Sequence, residues 1–455
     1  MRALIIEGDR QIADVLGIHL KNELGFVTNY RSSLREALEL LKEDSAYELI
    51  IVRNIIGGTK TEDGEEAARG LCTFLYDKSI KTSILVLGSF EYVGMPIANL
   101  PDHFKLNEFV RVITKLLNLT RHQISDMKLP DFVPVPISYF YLMNRSSCDI
   151  YMKLKKGDEE EFVKRIHAED EFDKEAIKRY NTRFGLQEFY IRKDDRDLFF
   201  DSLLVQSEAK LTNPTVSVEL KLEMVADSFG IARSLLNEAG IDERSVKMAS
   251  ATIESMKQTI ASADKLSDLL KKLLTNPSTY AYKHSFMISL FFPKLLSKME
   301  WCPQSQLQNT LDKMIFISFF HDIALDDDRL VMIDDKESFR TSELSNNEKV
   351  FVLHHANKAA SLVQSFPHSP PGADVIIRQH HGMSNGVGFP DSYGISISPI
   401  SILFIIIEAF VHELLNIPET KKKVPQIVQE LYVRFPMGTY KKIIDILKES
   451  LSSDF

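Results

Sequence analysis

The sequence predicts a multidomain chain. It comprises a doubly wound α/β domain over residues 1–122, a small α+β module over 126–205 and an all-helical bundle over 216–455. Three observations carry this reading. At 455 residues the chain is too long for one ordinary domain. Short apolar runs alternate with helical patterns in the first segment, the signature of a parallel sheet with crossover helices. Eight of the 12 histidines fall between His284 and His412, within a segment whose apolar residues recur at helical spacing.

In the first segment, "RALIIEG", "YELIIVRN" and "TSILVLGS" read as buried strands. "RQIADVLGIHLKNEL", "EEAARGLCTFLYD" and "EFVRVITKLLNL" read as helices. In the second, "FVPVPISYFYLM", "CDIYMKLKKGD" and "QEFYIRKDDRDLFF" are rich in aromatic and β-branched residues, with a short helix at "DKEAIKRYNTRFG". No catalytic constellation stands out there, and packing or partner binding is the expected role. "LTNPTVSVE" reads as a linker. In the third, "ELKLEMVADSFGIARSLLNEAG" and "SVKMASATIESMKQTIASADKLSDLLKKLL" are long amphipathic helices.

Composition narrows the function classes. The chain is 44% hydrophobic and 26% charged, a globular profile. A net charge of -9 argues against a broad nucleic-acid surface, so no DNA partner is expected. Cys72, Cys148 and Cys302 form no metal-type pair and read as core thiols of a cytoplasmic protein. The start "MRALIIEGDRQ" has no signal-peptide pattern. The most apolar run, "ISILFIIIEAF", is too short to span a bilayer and contains Glu408. It reads as a buried helix, and an unpaired carboxylate inside it would be very costly, so Glu408 needs a partner.

Candidate partners are spread along the third segment. His284 lies in "YAYKHSFMISLFF", His321 and Asp322 end the apolar run "FISFFHD", and His355 lies in "EKVFVLHHANKA". His380 and His381 precede the glycine-rich turn "GMSNGVGFP". Each alone is more often a core or surface residue. Together, imidazoles and carboxylates in this number suit iron, manganese, zinc or nickel rather than calcium or magnesium.

The order His, His-Asp, His, His-His, acid resembles the HD-GYP family of HD-domain metal phosphohydrolases, over roughly 216–414. The family's HHExxDGxGYP stands here as "HHGMSNGVGFP" and its HDIGK as "HDIAL". Its E…HPxxG stands as "EKVFVLHHANKA", with Glu348 in place and His355 at the ligand spacing. The late aspartate is Glu408. The resemblance implies a dinuclear centre held by His284, His321, Asp322, His355, His380, His381 and Glu408. Asp322 would bridge two divalent metals, most simply iron with manganese as the alternative. Where some members hold a third metal by a glutamate, this chain has Tyr280. Gly386, Gly388, Phe389 and Pro390 would shape the signature loop.

The resemblance further implies opening of cyclic di-GMP by a hydroxide activated between the metals. The substrate side departs from the family: its lysine is Leu325, its loop glutamate Gly382, its aspartate Asn385 and its tyrosine Phe389. The stretch after the late acid, "EAFVHELLNIP", holds no arginine to grip a phosphate or guanine. Each lost charged contact is worth roughly 1.5–3 kcal/mol, so weak or altered hydrolysis is one expectation. An inactive scaffold that binds a cyclic dinucleotide or a protein and keeps its metals is the other. Oxidative chemistry at a di-iron centre is a third, with no specific support in the residues.

The first segment resembles a response-regulator receiver domain. Glu7 and Asp9 follow the first strand, and Arg53 with Asn54 stands where the phosphoacceptor aspartate belongs. Gly88 or Ser89 takes the switch position, and Lys105 is the nearest lysine. Arginine cannot accept a phosphoryl group, so the resemblance implies a pseudo-receiver that engages a signalling partner without phosphorylation. A generic flavodoxin-like domain is the alternative.

Overall fold

The run "RALII" is apolar on both faces, which only a sheet covered on both sides satisfies. In the computed structural model it is β1 (Arg2–Ile6) of a five-stranded parallel sheet. The structure describes residues 1–56, 65–92, 95–100, 106–119, 131–156, 159–263, 265–394, 396–416 and 424–452. The first unit runs β1, α1 (Arg10–Leu24), β2 (Val27–Arg31), α2 (Leu34–Glu43), β3 (Leu49–Arg53), α3 (Ala67–Asp77), β4 (Ser83–Leu87), β5 (Ile97–Leu100) and α4 (Leu106–Leu116).

The strand order is β2-β1-β3-β4-β5, with Ile5 opposite Ile51 across β1 and β3. Leu4, Ile50 and Val86 pack beneath α2 and α3, whereas Ile5, Ile51 and Leu85 pack beneath α1 and α4. The alternation of side chains along each strand therefore builds two cores, one per face. The chain order reverses between β1 and β3, which puts a crevice at their carboxyl ends. Sequence patterning found β1, β3 and β4. It passed over β2, whose Val27 is exposed and whose residues "VTNYR" are half polar, as well as α2 and the short β5. Lys105 lies outside the described residues.

The middle unit is an antiparallel sheet of order β6-β9-β7-β8. Its strands are β6 (Phe132–Pro136), β7 (Ile150–Lys156), β8 (Glu159–Ile166) and β9 (Glu188–Arg192), with α5 (Lys174–Phe184) between β8 and β9. "FVPVPISYFYLM" is strand only as far as Pro136. The next six residues form 3-10 turns that bury Tyr139, Phe140 and Leu142. Strand β8 was missed because its sequence, "EEEFVKRI", is mostly charged. Helix α6 (Arg196–Thr212) runs past Val205, and 213–217 is only a short connection to α7 (Val218–Ala239). One apolar core continues from β6 through to the last helix, and the Tyr139 hydroxyl donates to Ser234 Oγ on α7 at 3.0 Å.

The remaining helices are α8 (Glu243–Ala261), α9 (Leu266–Thr275), α10 (Tyr280–Leu296), α11 (Leu307–Phe320), the short α12 (Asp328–Val331) and α13 (Lys336–Thr341), then α14 (Asn346–Ser365), α15 (Ala373–Gln379), α16 (Pro399–Asn416), α17 (Val424–Arg434) and α18 (Gly438–Ser452). Helix α16 starts with proline at its first position, where no backbone donor is lost. Among the described residues it alone is long and apolar enough to cross a membrane, yet 72% of it is buried against other helices. A helix apolar all round belongs in a core, and this one carries Glu408 into it.

The first unit docks on the rest along α1. His19 Nε2 lies 2.7 Å from the Glu238 carbonyl, Lys193 Nζ donates to the Asn22 carbonyl at 2.6 Å, and Arg196 pairs with Glu23. At the other end of α1, Lys358 of α14 pairs with Asp9.

Candidate metal centre

Three helices and two helix ends bring the ligand candidates together. His284 comes from α10, whose first turn is capped by Thr279 and by Asp328 accepting the Tyr280 N–H at 2.6 Å. His321 closes α11 and Asp322 follows it. His355 comes from α14, which opens on a Ser345–Glu348 capping box. His380 closes α15 with His381 after it, and Glu408 lies mid-way along α16. All seven side chains are buried; Asp322 and His381 keep 7% exposure and the others 3% or less. The open side of the cluster is therefore at these two residues.

Tautomers follow from the surroundings. Nδ1 of His321, His355 and His380 sits 2.8, 2.5 and 2.5 Å from the backbone carbonyls of Ser318, Val352 and Ile377. A carbonyl only accepts, so each Nδ1 carries the proton and each Nε2 turns a lone pair inward. His355 Nε2 stands 3.1 Å from Nε2 of both His380 and His381. Lone pairs converging at that distance repel unless something positive lies among them. Protonating His380 or His381 is no remedy. Burial pulls His380 down to about 4 and holds His284 and His381 well below the usual imidazole range. Carbonyl-oriented imidazoles of this kind are how proteins present nitrogen to a metal.

The carboxylates occupy the middle. Asp322 Oδ1 lies 3.3 Å from His355 Nε2 and 3.5 Å from His380 Nε2; Oδ2 lies 3.2 Å from His321 Nε2 and 3.8 Å from His284 Nε2. Glu408 Oε1 is 3.9 Å from nitrogens of His321, His380 and His381. His321 Nε2, His284 Nδ1 and Asp322 Oδ1 have no hydrogen-bond partner despite complete burial of those atoms. Burial alone would raise the Asp322 pKa. The imidazoles around it, His321 first, overcome this and hold it well below the carboxylate range. Glu408 is pushed well above that range by burial and then by Asp322 and Asp334. It needs a cation to ionise.

The donors divide into two sets that share one residue. Asp322, His355, His380 and His381 form one; His284, His321, Asp322 and Glu408 form the other, with ligand atoms within 4.8 Å of each other in each. These buried clusters could hold metal ions, and the shared aspartate has one oxygen for each set.

The loop residues have structural reasons for departing from the signature. Gly382 has φ +86°, and a Cβ there would lie 2.6 Å from the Tyr393 ring, so no glutamate fits. Phe389 packs on His381 with ring centroids 4.8 Å apart, Pro390 lies beside Gly382, and Gly388 donates its N–H to the Leu353 carbonyl at 2.8 Å. Gly386 has φ +71° and fits tightly against Asn357 and Arg378. Asn385 makes an Asx turn onto the Val387 N–H at 3.1 Å. Leu325 is buried in the core. Glu348 is absent from the centre. It caps α14 through Ser345 and pairs with Arg329 at 2.7 Å; the Ser345 hydroxyl first, then Arg329, bring it down to about 2. At the first unit, Arg53 pairs with the buried Glu7 at 2.5 Å.

A second layer went unread in the sequence. Tyr280 stacks on His284 with centroids 5.7 Å apart, and its hydroxyl meets His412 Nδ1 at 3.0 Å. His412 Nε2 is 3.3 Å from Asp334, which Arg434 of α17 grips at 2.8 Å. The stretch directly after Glu408 holds no arginine, as expected; Arg434 comes from beyond the motifs and is committed to Asp334 and to the Tyr393 hydroxyl at 3.3 Å. His412, one turn after Glu408 on α16, was the only sequence signal of this layer.

No family model matches the chain, and no curated protein matches it. Among solved structures, Bd1817, a HDG"Y"P protein from Bdellovibrio bacteriovorus, is similar with a TM-score of 0.45 and 15% identity, over 70% of this chain and all of the other.

Proposed function

We propose that the chain is a metal-dependent phosphohydrolase of the HD type, a divergent HD-GYP protein acting weakly or with altered specificity on cyclic di-GMP. The observation that supports it best is the pair of buried donor sets sharing Asp322. Two divalent cations in such a site supply Lewis acidity toward a phosphoryl oxygen and lower the pKa of a water between them. The chain's own residues do the rest. His284, His321 and Glu408 would hold one ion, with His355, His380 and His381 holding the other and Asp322 joining them. The carbonyls of Ser318, Val352 and Ile377 fix which nitrogen each ring presents. Phe389 shields His381 from water without offering a hydroxyl. Iron, with manganese second, is the proposed metal.

Specific observations favour a second reading, in which the site keeps its metals without turnover. Leu325 offers no cation, Arg434 is engaged by Asp334, and Gly382 leaves no room for a carboxylate. In the same reading the first unit, a pseudo-receiver, would serve protein interaction alone. Metal per chain, measured by plasma mass spectrometry, and product from cyclic di-GMP under anaerobic iron or manganese loading separate these. About two metals and linear pGpG, both lost in Asp322→Ala, establish the enzyme. Two metals without product leave the binding scaffold. A folded chain that takes up no metal refutes both.

A further inference from the structure

We infer that Lys358 is a positioning residue for the metal centre, and that the carboxyl end of the N-terminal sheet acts through it on His355. This rests on the metal reading above. Helix α14 carries His355 and, one turn later, Lys358. This helix is tied to the centre and its loop by Val352, Leu353 and Asn357. The Val352 carbonyl orients His355, the Leu353 carbonyl holds Gly388, and Asn357 Oδ1 accepts from Arg378 at 3.2 Å just ahead of His380. Lys358, one turn after His355, reaches into the N-terminal unit and pairs with Asp9.

That pairing is well built at both partners. Asp9 also caps α1, accepting the Ile12 N–H at 3.4 Å, so its carboxylate is fixed to the sheet by the helix that follows β1. Lys358 lies over the Phe351 ring, 4.0 Å from the centroid. Glu7 and Arg53 pair alongside. Together they occupy the crevice at the β1/β3 reversal, part of a cleft of about 1370 Å³ between the sheet and helices α7 and α14. The acidic end of the sheet is thus engaged in cis. A rotation of α14 about its axis would move Lys358 and His355 together, so the Asp9 contact limits how far His355 Nε2 can stray from Asp322.

The test uses the full chain, stripped of metal and titrated with Co2+ against a chelator, with the visible Co2+ spectrum recorded. Lys358→Met and Asp9→Asn are each expected to weaken one of two Co2+ steps by roughly 10- to 100-fold, as supporting residues of metal ligands do. That step is the one abolished in His355→Gln. The exchanged pair Asp9→Lys with Lys358→Asp should restore it to within about threefold, as expected for a direct coupling. Arg196→Ala breaks a different docking contact, that with Glu23, and should leave both steps unchanged. Wild-type affinity in both single variants, or an equal loss in Arg196→Ala, overturns the positioning role while the metal reading stands. A wild-type chain that binds no Co2+ overturns both.

Discussion

Replacing Gly382 by alanine tests why the signature loop lost its glutamate. Two costs follow from the structure. A side chain at φ +86° enters a region L-residues avoid, at about 1–2 kcal/mol. The added Cβ would also lie 2.6 and 2.7 Å from two carbons of the Tyr393 ring, where about 3.5–4 Å is normal. Tyr393 has little freedom to yield. Its ring packs on Phe435 at 4.5 Å and its hydroxyl meets Arg434. Overpacking of this kind costs about 1–3 kcal/mol. The sum, about 2–5 kcal/mol, corresponds to a fall of roughly 5–15 °C in the midpoint of the transition containing the helical region. Thermal unfolding followed by circular dichroism measures it. In a Tyr393→Leu background the same alanine should cost only the conformational part, since its steric partner is gone. An unchanged midpoint, or an equal cost in both backgrounds, would refute the reasoning. Gly382→Glu should be worse than alanine and should bring no gain in hydrolysis.

Other outcomes follow from the same geometry. Asp322→Asn should lose both metals by mass spectrometry, because both donor sets use that carboxylate, whereas His355→Gln should lose one. The metal-free chain should be acid-labile. His380 titrates near 4 when folded and near 6.5 when unfolded, so the unfolded state binds more protons between those values. Stability should therefore fall as pH drops from about 6.5 to about 4, by about 3 kcal/mol from this ring alone, in urea titrations across that range. Asp334→Ala strands Arg434 and should cost about 3–5 kcal/mol, read as a lower urea midpoint.

The sequence was most legible where chemistry is dense. Glu408 in an apolar run demanded a partner, and the ordered histidines supplied candidates that the fold gathers into one buried place. Helix α14 could be read the same way, as could strands with two apolar faces. Strand β8 was not legible, since a hairpin strand with charged outward positions carries little apolar signal. Arg434 was invisible for a different reason. Only tertiary packing brings α17 beside α16, and nothing local in "ELYVRFP" marks that arginine as a partner for Asp334. The conflict between Gly382 and Tyr393 was equally out of reach, because it depends on a loop folding back over a turn. Lys358 carried no sequence signal, because only the tertiary fold brings Asp9 to it.

The hydrophobic interior passes without a break from the middle sheet into the helices. A fragment beginning at 216 would therefore not be a trimmed domain but a torn one. Leu222, Val225 and Phe229 of α7 would lose the cover that the segment before it gives them. Such a fragment would be prone to self-association, and any failure to bind metal would report on the cut rather than on the ligands. In recombination between relatives, the middle sheet and the helices would be inherited together. The N-terminal unit has cores of its own and touches the rest mainly through polar contacts, so it is the part this architecture leaves exchangeable, provided the replacement keeps an acid for Lys358.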